Sequence, residues 1–504
     1  FEITSNCQCS EKMIEKRIFL IFVFFLFCTS LVHCADWFQP PPPQKFTFTQ
    51  TLDHFNPNDN RTFEQVYLLY DGYVNRTKFG SYPAIFFTPG GEAGVRGGYD
   101  HNGFLFEMAS EIGAFLLFPE HRFYGESLPM GPVDSYKFEN IQYLSVQQAI
   151  EDYNVIINFI REKYDMPVDK SPLITAGGSY PGELAAFLRI HYPDQVFGAL
   201  ASSAPLLYHP LFRSGGGFYD IATKVFGVQN EKCPDTMRAA FSKISQLFQT
   251  QSGIETIANQ LGLCSAQLLK PNDKDSFRLL ALWIENAFAG LCMDNYPYPI
   301  GDSPAWPLLQ SCQDMMDTYN NDDTQLLYAL RAAINVEYNT TGQVACHNIL
   351  EEYLPCADIT GCGSPSPNGF SWDWQSCTQI VSNVDTSSTS MFPPAPYNFT
   401  RIEQYCKERW EATPRPYQLL ELYPIHGGSR IIWSNGLYDG WSAGGILEAP
   451  NPSQHIVLIE KAAHHLDLRG SSDKDPESVK VARRKEAMII HEWLDEFSII
   501  NQLK

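Results

Sequence analysis

The sequence predicts an α/β protein whose sheet is interrupted by a long, mostly helical insertion. Three observations predict this. Short, unbroken apolar runs stop at turns rich in Pro and Gly. Helical periodicities lie between those runs. The alternation then fails at Pro205 and resumes only after residue 393, across a stretch that carries most of the cysteines. Apolar runs of this length fit parallel strands covered on both faces, and strand–helix alternation fits a sheet with helices packed on it.

The elements follow in order. Residues 45–52 alternate with period two, as a half-buried strand does, and 63–70 form a second strand. The run 83–88 stops at Pro89-Gly90-Gly91, and 113–118 stops at Pro119-Glu120-His121. Residues 145–163 place Val146, Ala149, Ile150, Tyr153, Ile156, Ile157 and Ile160 on one helical face. A strand at 173–176, a turn at 177–182, a helix at 183–189 and a strand at 196–201 come next. Within the insertion, 236–250 and 275–288 read as helices. The sheet resumes at 430–434 and 455–460, and Asp475-Pro476-Glu477 opens a final helix to about residue 497. The sheet domain is therefore expected in two parts, 45–205 and 394–504, around an insertion at 206–393.

The chain has 504 residues, 44% of them hydrophobic and 18% charged, which is the composition of a folded protein. Its formal charge of -21 argues against a nucleic-acid partner, since phosphates would be repelled. Near the N-terminus, Lys16 and Arg17 precede an apolar run at 18–27, and Val32-His33-Cys34 precedes Ala35. That order describes a signal peptide, so residues 1–34 are read as an N-terminal extension and cleaved leader, with no membrane span left in the mature chain. Four acceptor sequons, at Asn60, Asn75, Asn339 and Asn398, fit the same route. So do nine cysteines between Ser179 and Asp439 (Cys233, Cys264, Cys292, Cys312, Cys346, Cys356, Cys362, Cys377 and Cys406), which should form disulfides and leave at least one over. None has zinc-site spacing, and neither metal nor cofactor is expected. The oligomeric state is open, a homodimer included.

The chemistry centres on Gly177-Gly178-Ser179-Tyr180-Pro181-Gly182. Between a strand and a helix, this is where a nucleophile elbow holds a serine hydroxyl out on a tight turn. The usual form has one residue between the serine and the next glycine. Here Pro181 takes that glycine's place and Gly182 follows. Such a serine needs a base, and the base a carboxylate, in the chain order Ser, Asp, His on an α/β-hydrolase sheet. Asp439 follows the strand at 430–434, and the pair His464-His465 follows the strand at 455–460. The residues alone do not choose between the two histidines. For the oxyanion, the Tyr180 N–H is the first candidate donor, and Gly91, in Gly90-Gly91-Glu92-Ala93-Gly94, is the second.

These pieces resemble the prolyl carboxypeptidase and dipeptidyl peptidase II family of serine peptidases, which cut after proline. The resemblance rests on 50–55, 120–127, the elbow with Tyr180, 202–205, Asn295-Tyr296-Pro297-Tyr298, 434–442 and 464–469. The chain departs from the family at Pro181, where glycine is commoner, and at Gly440, where proline is. The resemblance implies that His464 is the base. It also implies an α/β-hydrolase core with a helical cap, a proline pocket between them, proline-containing peptides as substrates, and a lysosomal or extracellular location. Positive charge beside His464 would keep a base neutral in acid, and His465 and Arg469 are the expected sources. Three other readings share the fold: a dipeptidyl peptidase, an esterase, and a binding protein without catalysis.

Overall fold

The computed structural model describes residues 38–76, 82–209 and 217–502. The leader expected at 1–34 lies outside the described residues, as does Thr77 of the second sequon. Among the described residues, no helix is long and apolar enough to cross a membrane.

Eight strands form one sheet: β1 (Gln44–Thr51), β2 (Thr62–Tyr70), β3 (Ile85–Phe87), β4 (Phe115–Pro119), β5 (Leu173–Gly178), β6 (Gly198–Ser202), β7 (Ile431–Gly436) and β8 (Gln454–Ile459). Their spatial order is β1-β2-β4-β3-β5-β6-β7-β8. The β1–β2 and β2–β4 pairs are antiparallel, and the rest are parallel. Burial follows the sequence pattern. Strand β1 lies at the edge and alternates between exposed and half-buried, whereas β3, β4, β6 and β7 are buried throughout.

One hydrophobic cluster covers each face of the sheet. Phe104, Phe106, Ile490 and Trp493 belong to the first, and Tyr153, Ile156, Leu184 and Phe187 to the second. The segment between β6 and β7 is mostly helical, and Phe226, Phe241, Trp283, Phe288 and Leu330 pack there in a cluster of their own. Four disulfides cross-link this stretch: Cys233–Cys312, Cys264–Cys346, Cys356–Cys362 and Cys377–Cys406. The ninth cysteine, Cys292, is a buried free thiol.

Several boundaries move. The helix after the elbow runs Tyr180–His191, starting three residues before the expected 183. Ser179 occupies its N-cap position and Pro181 lies in its first turn, where a missing N–H costs no hydrogen bond. The last helix, Glu477–Gln502, outlasts the expected 497. The strand expected at 83–88 keeps only Ile85–Phe87.

Candidate active site

Strand β5 delivers Ser179 at its carboxyl end, between β3 and β6. The residue has φ 62° and ψ −132°, a conformation that L side chains rarely adopt. Hydrogen bonds fix it there. Its N–H donates to the Ser202 carbonyl at 2.9 Å, and its carbonyl accepts from Gly182 at 2.9 Å and Glu183 at 3.1 Å.

Packing explains the glycines. A Cβ on Gly178 would lie 2.6 Å from Cγ of His465, and one on Gly182 would lie 2.9 Å from the carbonyl oxygens of Gly177 and Ser202. A Cβ on Gly91 would meet Cγ of Pro181 at 2.5 Å. The departure at Pro181 is thus accommodated: its ring fills the space left beside Gly91. The departure at Gly440 has a similar cause, since the Phe218 ring lies 2.6 Å from where its Cβ would be. Tyr180 opens its helix, so its N–H has no carbonyl partner within the helix. Its hydroxyl is buried and accepts from Gln375 Nε2 at 2.9 Å.

Asp439 follows β7 and is fully buried. Its Oδ1 accepts the Trp441 N–H at 3.0 Å, and its Oδ2 lies 2.8 Å from Nδ1 of His464. With Nδ1–H donating to that carboxylate, Nε2 keeps its lone pair. His464 is held from both sides of its peptide unit. Its N–H donates to the Met293 carbonyl at 3.2 Å, and its carbonyl accepts the Tyr296 hydroxyl at 2.9 Å.

Ser179 and His464 line one cavity of about 560 Å³, together with Gly91, Glu92, Met293, Trp372 and Trp441. Among the described residues, no hydrogen bond yet joins the serine hydroxyl to the imidazole. Such contacts commonly tighten only when substrate binds. Glu92 has one oxygen, Oε2, buried without a hydrogen bond, and burial raises its carboxyl above the usual range.

His465 is pushed well below the usual histidine range by burial, and further by His464, Arg469 and His101. That favours its neutral form over the positive charge expected of it. Its ring lies 4.5 Å from that of His464, tilted by 50°, and its N–H donates to Ser203 Oγ at 2.9 Å. Arg469 remains charged: burial opposes the charge, but Tyr296, Tyr298 and Asp294 outweigh it. Its guanidinium lies 4.5 Å over the Tyr296 ring.

Sequence reasoning assigned no role to Met293, Tyr296 or Trp372. The Asn295-Tyr296-Pro297-Tyr298 motif was the signal for Tyr296. Trp372, more than 190 residues after the elbow, carried none. Of the sequon asparagines, Asn60, Asn75 and Asn398 are exposed. Asn339 is half-buried, and its Oδ1 accepts the Val344 N–H at 2.9 Å.

Residues 50–486 match the family described as serine carboxypeptidase S28. The lysosomal Pro-X carboxypeptidase of Pongo abelii is 34% identical over 458 residues, covering 89% of this chain and 88% of its own. That of Mus musculus is 35% identical and covers 89% of each chain. Among solved structures, an alpha/beta hydrolase from Novosphingobium aromaticivorans aligns with 89% of this chain and 98% of its own, at 12% identity and a TM-score of 0.31. The chain belongs to the serine carboxypeptidase S28 family and is a serine-type peptidase.

Proposed function

We propose that the chain is a Pro-Xaa carboxypeptidase that works through an acyl-enzyme, with Ser179, His464 and Asp439 as its triad. The observation that carries this is the 2.8 Å contact between His464 and buried Asp439 at the cavity that Ser179 lines. The Ser179 hydroxyl attacks the carbonyl carbon of the substrate's proline, and its proton passes to Nε2 of His464. The N–H groups of Tyr180 and Gly91 receive the oxyanion. The imidazolium then protonates the leaving amine, and the C–N bond breaks. Water, deprotonated by the same imidazole, releases the acyl group and restores the serine. Asp439 keeps the imidazole in the tautomer that this requires. Met293, Trp372 and Trp441 offer apolar surface for the pyrrolidine ring.

The names of the relatives support proline at the scissile position and a lysosomal or secreted destination. We place the core at 45–205 and 394–504, with the cap at 206–393, and a cleaved leader at 1–34. Turnover of Z-Pro-Phe against Xaa-Pro-arylamides, at acidic and neutral pH, tests the reading. Release of phenylalanine is expected, and release of the dipeptide instead would make the chain a dipeptidyl peptidase.

A further inference from the structure

Beneath the His464 loop lies a pair of carboxyl groups with no part in these steps. Asp467 follows His464 by three residues, and Glu486 comes from the helix Glu477–Gln502. Their exposures are 1% and 0%. The Ser202 hydroxyl donates to Asp467 Oδ1 at 2.7 Å, and the Ser434 hydroxyl donates to Glu486 Oε1 at 2.7 Å. Those serines are register partners on β6 and β7. Among the described residues, one further oxygen of each carboxyl, Asp467 Oδ2 and Glu486 Oε2, is buried without a hydrogen-bond partner. Serines on neighbouring strands thus hold the two carboxyls side by side, each with one oxygen unsatisfied. Two ionised carboxylates have only acceptors to offer, so these oxygens can satisfy each other only if one carries a proton.

The surroundings favour keeping it. Burial, then the charge of Asp467, raises Glu486 well above the ordinary range. Burial raises Asp467 too, against the hydrogen bonds from Ser202 and Ser434. The strands present the hydroxyls of Ser202 and Ser434 to the pair. From its own helix comes Arg483, whose Nη1 bonds Asp475, while Nε and Nη2 donate to the carbonyls of Asp467 at 2.9 Å and Leu466 at 2.8 Å. Arg469, on the loop itself, stacks on Tyr296.

We propose that Asp467 and Glu486 share one proton and act as positioning residues, holding the His464 loop in register only while that proton is present. This rests on His464 being the base. Removing the proton sets two buried negative charges against each other directly under the turn that carries the imidazole. The sign follows. The folded chain keeps a proton that the unfolded chain releases in the ordinary carboxyl range. The pair's contribution to stability is therefore complete below that range and falls as pH rises through it towards the folded value.

Glu486→Gln in the full chain tests this. The amide N–H₂ donates permanently to Asp467, and its carbonyl still accepts from Ser434. The fall of Tm as pH rises above the ordinary carboxyl range is expected to flatten relative to wild type, and the alkaline limb of kcat to move to higher pH with KM unchanged. Glu285, raised to about 7, and Glu337, raised to about 8, keep their own contributions in the variant, so the difference reports the pair. Glu486→Ala is expected to lower Tm and kcat at every pH. Asp467→Asn repeats the amide test from the other side. Profiles of Tm and kcat that superimpose on wild type overturn the proposal. So does failure of both amide variants to fold, since an amide reproduces a shared proton. If the wild type does not hydrolyse prolyl peptides, the functional reading fails, and the Tm comparison still judges the pair.

Discussion

The two halves of the site are held by different means. Ser179 is fixed by backbone: a strand end, a helix start, three main-chain hydrogen bonds and glycines at positions where nothing larger fits. His464 is fixed largely by side chains: Asp439 at one ring nitrogen, Tyr296 at the carbonyl, and Arg483 and Asp467 in the turn that follows. A backbone scaffold does not titrate, so the nucleophile's position should be insensitive to pH. The base rests on ionisable groups, and its position should respond to pH and to single side-chain changes far from the cavity.

The largest effect expected on either half is from Asp439→Asn. It leaves the fold intact but offers His464 the wrong tautomer, and kcat should fall by about 10⁴-fold with an unchanged circular dichroism spectrum. Next comes Gly178→Ala, which breaks the backbone half from the other side. The new methyl meets the His465 ring, so both Tm and kcat should drop, with a stability loss of about 1–3 kcal/mol by thermal melting. Tyr296→Phe removes one hydrogen bond from the His464 carbonyl while keeping the ring under Arg469. A loss of about 1 kcal/mol in transition-state stabilisation, roughly fivefold in kcat/KM, is expected. The smallest change is in the Arg469→Ala pH–rate profile. Without that cation, the acidic limb should move to higher pH, and an unmoved limb would rule out Arg469 as a tuning charge.

The same contrast governs what could be read from the sequence. The backbone half was legible. Apolar runs gave the buried strands, and Gly177-Gly178-Ser179 between a strand and a helix gave the elbow. The helix start was placed three residues late because residues 177–182 were read as a turn that ends before the helix begins, whereas the helix starts inside that turn. The side-chain half was less legible. Spacing brought Asp439 and the histidine pair into order but did not separate His464 from His465. That choice depends on the turn's dihedrals, with His465 at φ 39°, and only family resemblance supplied it. The partners of the loop lie at residues 293–296 and 483–486, far away in sequence, and no local pattern links them to it. The cysteines show the same limit. Nine thiols implied an odd one, but only the folded chain singles out Cys292.

Fluorophosphonate labelling followed by peptide mass spectrometry tests the central claim most directly. The label should fall on Ser179 in the wild type and vanish in both Ser179→Ala and His464→Ala. Labelling of a different serine, or labelling of Ser179 that persists at the wild-type rate without His464, would contradict the account.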